Sequence, residues 1–266
     1  MSDIVLVENA EGPVAEVRLN RPEKKNAWTL EMFDALSAAA GALAQEPGLR
    51  AVVMSGAGGC FSAGLDFSVF QEFATKLEAI KKEMRNPPEG RIANRFQEPV
   101  VCWQTLAVPV IAAIEGVCFG AGMQLALATD FRIAAPDAKF SIMESKWGLI
   151  PDMGITQSLP KLLRADQAKE LIMTARVLAA EEALELGLIT RIADDPVVAA
   201  HGMAAELAAR SPNAVRAAKR LVEEGWSTEP RTALALEAAL QAELMGGANQ
   251  IEAVMANMQK RVAKFR

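Results

Sequence analysis

Apolar positions recur at every second residue in two short runs near the start of the chain, residues 4–8 and 14–19, on either side of the turn-forming AEGP. That period predicts a strand hairpin. After the polar stretch NRPEKKNAWT the period lengthens. Leu30, Phe33, Leu36, Ala40 and Leu43 follow at three- and four-residue steps, which predicts a helix over residues 30–44 with Thr29 capping its first turn. Residues 51–55 read as a short buried strand that runs into the glycine-rich GAGGCFSAGLD. Residues 67–84 read as a helix that RNPPEGR interrupts, and residues 92–106 as another helix.

The chain then reaches VPVIAAIEGVCFGAGMQLALATD. An apolar run over residues 110–114 meets Gly116, Gly120 and Gly122, and a second apolar run covers residues 123–128. The order predicts a buried strand, a tight connection and the start of a buried helix. Strands over residues 131–134 and 139–141 lead to an irregular loop, MESKWGLIPDMG. From Ile155 onward the pattern is almost entirely helical, with Ser211 as an N-cap and Pro212 in the first turn of one helix. Strands interleaved with helices, then helices alone, predict an α/β core over residues 1–195 and a helical C-terminal section over residues 196–266.

Composition narrows the function classes. A chain of 266 residues, 51% hydrophobic, can bury a large core. No apolar run reaches the roughly 20 residues of a membrane span, and the acidic MSDIVLVENAEG lacks the basic, then apolar, pattern of a signal peptide. A net charge of −5 argues against a dedicated nucleic-acid binder. Cys60, Cys102 and Cys118 sit in apolar contexts without disulfide or metal spacing, which fits small buried side chains in a reducing, cytoplasmic compartment. His201 is the only histidine and tyrosine is absent. His201 lies in an alanine-rich helical stretch and reads as a surface residue. With no GxSxG elbow beside it, a Ser-His-Asp triad is set aside, which leaves carboxylates, lysines and cysteines as candidate acids and bases.

Two carboxylates stand out. Glu144 and Asp152 lie eight residues apart in the irregular loop, among the apolar Trp147, Leu149, Ile150 and Met153. A carboxylate in such surroundings has its pKa raised by desolvation, which suits proton transfer near neutral pH. Taken in order, LNRPEKKNAW, FSAGLDF, PVIAAIEGVCFGAGMQLALATD, FSIMESKWGLIPDMGITQSLPKLL and ARVLAAEEALELGLI resemble the crotonase (enoyl-CoA hydratase/isomerase) superfamily over essentially the whole chain.

The resemblance implies a spiral of strand–strand–helix turns, C-terminal helices that build a homotrimer or a dimer of trimers, and an acyl-CoA thioester substrate with no metal or redox cofactor. On the family pattern the backbone amides of Leu65 and Ala121 hold the thioester oxygen while negative charge builds on it. Ala63, Leu65, Asp66 and Phe67 are expected along the adenine and pantetheine path, with Lys25 and Ala27 on the other side of the CoA and Trp147 beside the acyl group. The C-terminal section is expected to help close the CoA site. The basic run QKRVAKFR reads first as a solvated helix end, with Lys260 or Lys264 reaching CoA phosphates, including those of a neighbouring subunit, as the alternative. The family's hydratases carry two glutamates; here the first position is Gln124, which can orient a water but cannot carry a proton, and the second is Glu144. Asp152 resembles the catalytic aspartate of the dienoyl-CoA isomerase branch. The resemblance therefore points to an enoyl- or dienoyl-CoA isomerase ahead of a hydratase. A dehalogenase-like use of Asp152 and a non-catalytic acyl-CoA binder remain as alternatives.

Overall fold

The computed structural model describes residues 3–266; Met1 and Ser2, which open the acidic N-terminal stretch and the expected core, lie outside the described residues. In chain order the strands and helices are β1 (Val5–Glu8), β2 (Val14–Leu19), α1 (Leu30–Leu43), β3 (Ala51–Gly56), α2 (Phe67–Thr75), α3 (Leu77–Arg85), α4 (Glu98–Thr105) and β4 (Val110–Ile114). There follow β5 (Val117–Phe119), α5 (Ala121–Leu127), β6 (Phe131–Ala134), β7 (Lys139–Ser141), α6 (Ile155–Ser158), α7 (Ala165–Thr174), β8 (Leu178–Ala179), α8 (Ala180–Glu185) and β9 (Arg191–Ile192). Four helices close the chain: α9 (Pro196–Ala208), α10 (Pro212–Gly225), α11 (Pro230–Leu244) and α12 (Ala248–Met258).

The strands form a six-stranded sheet in the order β1-β2-β3-β4-β6-β9 and a three-stranded sheet in the order β5-β7-β8. The β1–β2 hairpin and the β7–β8 pair are antiparallel, and the other pairings are parallel. Each circuit of the chain lays one strand in the large sheet and the next in or beside the small one. Thus β4 leads to β5 and α5, and β6 leads to β7. After β3, Ser62 bridges Cys118 of β5 in parallel. This is the strand–strand–helix spiral expected from the sequence.

Packing follows from that layering. One face of the large sheet, with α1, α4, α5 and the small sheet, encloses the main core, where Trp28, Phe61, Trp103 and Phe140 are fully buried. The other face is covered by α9, whose Ala200 and Ala204 pack on Ala51, Val53, Ile111, Ala113 and Ile133. Small residues on the helix and branched or small residues on the strands permit this close approach. Lys219 of α10 is buried against the core, its Nζ donating to Asp130 Oδ2 at 2.7 Å and to the carbonyls of Trp103 and Val108. Further on, Leu234 of α11, Met245 in the link to α12, and Ile251 and Met258 of α12 are exposed. Among the described residues, no helix is long and apolar enough to cross a membrane.

Several expected elements change in detail. The tight connection after Ile114 holds a strand, β5, because Val117–Phe119 pairs with both β7 and the Ser62 segment. The helix expected over residues 67–84 is broken into α2 and α3 at Lys76, whose φ of −122° leaves the helical region. The one expected over residues 92–106 begins only at Glu98, because the Asn94 side chain takes the Phe96 and Gln97 amides into a turn. Thr29 caps α1 as expected, whereas Ser211 makes no side-chain cap and accepts the Val215 amide through its carbonyl. The largely helical last third also contains β8 and β9, and β9 completes the large sheet.

Candidate active site

The site assembles from three stretches that the fold brings together. The first pairs the loop at Lys25–Trp28 in sequence with the segment that follows β3. Asn26, fully buried and in the left-handed region at φ 53°, is its pin. The Asn26 Nδ2 donates to the carbonyls of Ala57 and Cys60, and its Oδ1 accepts the Arg21 amide. Backbone bonds then alternate across the two chains: Ala63 N–H to Lys25 C=O, Trp28 N–H to Gly64 C=O, and Asp66 N–H to Trp28 C=O. Leu65 sits between these bonded neighbours, and its own N–H donates to no group among the described residues. Asp66 begins α2 by accepting the Ser68 amide, and its carboxylate pairs with Arg21 at 3.1 Å. The Ser68 amide and the Arg21 guanidinium together hold the Asp66 carboxyl below the usual range.

The second stretch is the turn from β5 into α5. Gly120 has φ 50° and ψ −118°, a conformation that glycine supplies without strain. Its N–H bonds Ser141 C=O, while the Ala121 N–H, at the start of α5, again donates to no group among the described residues. The two turns touch. A Cβ on Gly64 would lie 3.0 Å from the Phe119 carbonyl oxygen and 3.7 Å from Gly120 Cα, and one on Gly122 would lie 2.5 Å from Ser62 Cβ. Glycine at these positions brings the Leu65 and Ala121 amides, each one residue past a touching glycine, into one neighbourhood. Backbone amides without an acceptor are uncommon inside folded proteins, and two on adjoining turns form a ready site for an oxygen carrying negative charge.

The third stretch is the loop after β7. Glu144 starts a short 3-10 turn there. Its Oε1 accepts the Gln124 Nε2 at 2.7 Å, and a Cβ on Gly120 would lie 3.5 Å from that same oxygen. Its Oε2 is buried and has no hydrogen-bond partner. Gln124, one turn into α5 and only 1% exposed, also accepts the Met153 amide through Oε1 at 2.8 Å. Burial pushes the Glu144 carboxyl above its ordinary range; the Gln124 bond acts against that and the charge of Asp152 adds to it. Asp152 is exposed to solvent, but the protein around it desolvates its carboxyl and raises it as well.

An exposed aromatic group borders these carboxylates. Phe67 and Trp147 meet edge to face at 5.3 Å, and Phe70 stands 6.2 Å from Trp147. Leu149 and Ile150, two and three residues after Trp147, are exposed as well. Lys25 is exposed and Ala27 buried, and both lie on the loop that the Ala63–Asp66 segment pairs with in sequence. The basic tail lies elsewhere. Its carbonyl at Phe265 accepts Arg50, just ahead of β3, while Glu252 binds Arg261 and the Lys264 amide. That is the opposite end of β3 from Gly56, roughly 20 Å away at the rise of a strand. Two surface cavities of about 890 and 550 Å³ also lie elsewhere, against α1, α4 and α10; Leu65, Ala121, Glu144 and Asp152 line neither.

All of the residues singled out from sequence for the oxygen site and proton transfer therefore converge. Asn26, Ser62 and Arg21 were not singled out. Ser62, fully buried, donates to the Asn26 carbonyl and accepts the Gly64 amide, so it ties the two stretches together. The one available signal was an asparagine in a polar loop, a residue type that tolerates the left-handed conformation. His201, expected at the surface, is half-buried and bonds Glu16 Oε2 at 3.0 Å, because α9 packs on the sheet. Cys60 and Cys118 are buried, whereas Cys102 is partly exposed. Among the described residues no three histidine, cysteine or acidic side chains cluster as metal ligands.

The sequence model of the enoyl-CoA hydratase/isomerase family matches residues 9–266, and the chain belongs to that family. Its relatives include methylglutaconyl-CoA hydratase of Mus musculus, 32% identical over 93% of this chain and 78% of that protein. The Homo sapiens Delta(3,5)-Delta(2,4)-dienoyl-CoA isomerase is 36% identical over 80% of this chain and 66% of that protein. Among solved structures, an enoyl-CoA hydratase from Bacillus anthracis superposes with a TM-score of 0.88 at 30% identity, covering 98% of both chains.

Proposed function

We propose that this protein is an acyl-CoA proton-transfer enzyme, an enoyl- or dienoyl-CoA double-bond isomerase acting in acyl-CoA degradation. One observation carries the reading: Glu144 and Asp152, both raised above the ordinary carboxylate range, stand in one site with a neutral glutamine between them. A double-bond shift needs a base that removes a proton from one carbon and an acid that returns one to another. Two carboxylates that desolvation makes better proton acceptors can divide those roles. The Leu65 and Ala121 amides would accept the charge that builds on the thioester oxygen, an effect worth about 3 kcal/mol per donor.

Lys25, Ala27, Ala63, Asp66 and Phe67 would follow the CoA, and Trp147 with the exposed apolar residues after it would meet the acyl chain. CoA enters as part of the substrate, and the reading calls for no metal or redox cofactor. Residues 1–195 would bind the thioester. The exposed apolar residues of α11 and α12 would be covered in a homotrimer or a dimer of trimers through residues 196–266, and the compartment would be the cytoplasm.

Hydration is the second reading, favoured by the likeness to a methylglutaconyl-CoA hydratase and by the free Glu144 Oε2, which could take a proton from water. Crotonyl-CoA and a 3,5-dienoyl-CoA, assayed side by side with Asp152→Asn and Glu144→Gln, separate the two. The isomerase reading expects dienoyl turnover that both substitutions abolish. Fast crotonyl-CoA hydration that survives Asp152→Asn would sink it, and thioester binding without turnover of either substrate would make the protein a binder.

A further inference from the structure

We infer that Gln124 is a positioning residue: its carboxamide holds Glu144 by one oxygen, so that proton transfer runs through the other, and ties the Asp152 loop in register with it. This rests on the proton-transfer reading of Glu144 and Asp152. The geometry gives the amide only one sensible orientation. The Met153 N–H can only donate, so it takes Gln124 Oε1 at 2.8 Å. The Gln124 NH2 must then face the Glu144 carboxylate, which accepts it at 2.7 Å. With Gln124 only 1% exposed, water has little room to replace either bond.

The consequence is an asymmetric carboxylate. Oε1 of Glu144 is anchored against Gly120 and Gln124, and Oε2 is bare. A bare, buried oxygen can accept a proton from a substrate carbon without first giving up a hydrogen bond. The same amide grips the backbone one residue beyond Asp152, so one side chain sets the spacing between the two proton carriers. A glutamate in place of Gln124 could still accept Met153, but its other oxygen would face Glu144 Oε1. That pair would be stable only with a proton shared between them.

Two substitutions test this, with turnover of 3,5-dienoyl-CoA and of crotonyl-CoA followed against pH and the fold checked by circular dichroism. Gln124→Met keeps the shape and removes both bonds. It is expected to lower kcat about tenfold to a hundredfold, leave KM within about threefold, and move the acid limb of the profile to higher pH, since the bond to Gln124 favours the ionised Glu144. Gln124→Glu should be rescued only where the new carboxyl keeps its proton and so imitates the amide. Its activity should fall as pH rises through a limb that the unmutated enzyme lacks.

Gln124→Met with an unchanged kcat and profile would overturn the inference, as would Gln124→Glu with no new alkaline limb. If Glu144→Gln is inactive while both Gln124 variants behave normally, only the positioning role fails. If Glu144→Gln turns over normally, or the unmutated protein converts neither thioester, the proton-transfer reading fails and takes the inference with it.

Discussion

Glu16 and Glu144 are two shielded glutamates in one fold with opposite electrostatics. Glu16, on β2, faces α9 and is 8% exposed. Its Oε1 accepts from Ser55 and Arg18, and its Oε2 meets His201. Burial alone would raise its carboxyl, but the bonds from Ser55, His201 and Arg18 outweigh that and hold it below its ordinary 4.5. At Glu144 desolvation is met by a single side-chain donor, Gln124, and its carboxyl stays raised. The two sites differ in depth of desolvation and in how many donors surround each group. A carboxylate with both oxygens satisfied is a fastener. One with a bare oxygen, beside two unpaired amides, is poised to exchange a proton.

The sharpest way to break this contrast is to neutralise each glutamate in turn. Glu144→Gln is expected to cut turnover by about a hundredfold to ten-thousandfold, the usual span for a lost general acid or base, with little change in melting temperature. Glu16→Gln should do the reverse and leave kcat per folded molecule unchanged. Comparable activity loss in both would erase the distinction. The next effect is smaller. Because the Asp152 charge adds to the rise at Glu144, Asp152→Asn should move the titration of Glu144 toward lower pH. Carbon-13 NMR of labelled glutamate carboxyls reads this directly, and an unmoved resonance would mean the two groups do not communicate.

How visible each region is in sequence follows from the range of its contacts. The helix α1 and strand β2 carry their own hydrophobic period, and β3, β4 and β6 are short apolar-rich runs, so they can be read locally. The strand β5 is three residues between glycines, too short for any period, and exists because Ser62 and β7 pair with it. Leu65 and Ala121 offer nothing by residue type, since their function lies in a backbone N–H; only the ordered motifs around them mark their positions. Glu144 and Asp152 are legible as acids in an apolar loop. The Gln124 clamp is not, because one of its partners is a main-chain amide 29 residues away. Glu16 is the counterpart case. Within VAEVRL it looks like an outward-facing residue, and it is buried by a helix contributed 185 residues later.

That late-arriving helix supplies the remaining tests. Glu16→Gln should cost about 1–3 kcal/mol of stability at neutral pH, the range for a buried hydrogen bond to a charged group. The sign of its pH dependence is set by the depressed carboxyl. The contribution is complete above the ordinary value of 4.5 and lost as pH falls through the lower folded value. Urea titrations of the two proteins should therefore diverge near neutrality and converge in acid; a gap that widens in acid would mean Glu16 is not held ionised by its donors. His201→Gln comes last. His201 has a side chain 39% exposed, so water can replace its bond to Glu16 on one side, and Ser55 and Arg18 still hold the other oxygen. The expected loss is about 0.5–1 kcal/mol. A loss as large as that of Glu16→Gln would mean that α9 is docked mainly through this one pair rather than through the alanine-lined face beside it.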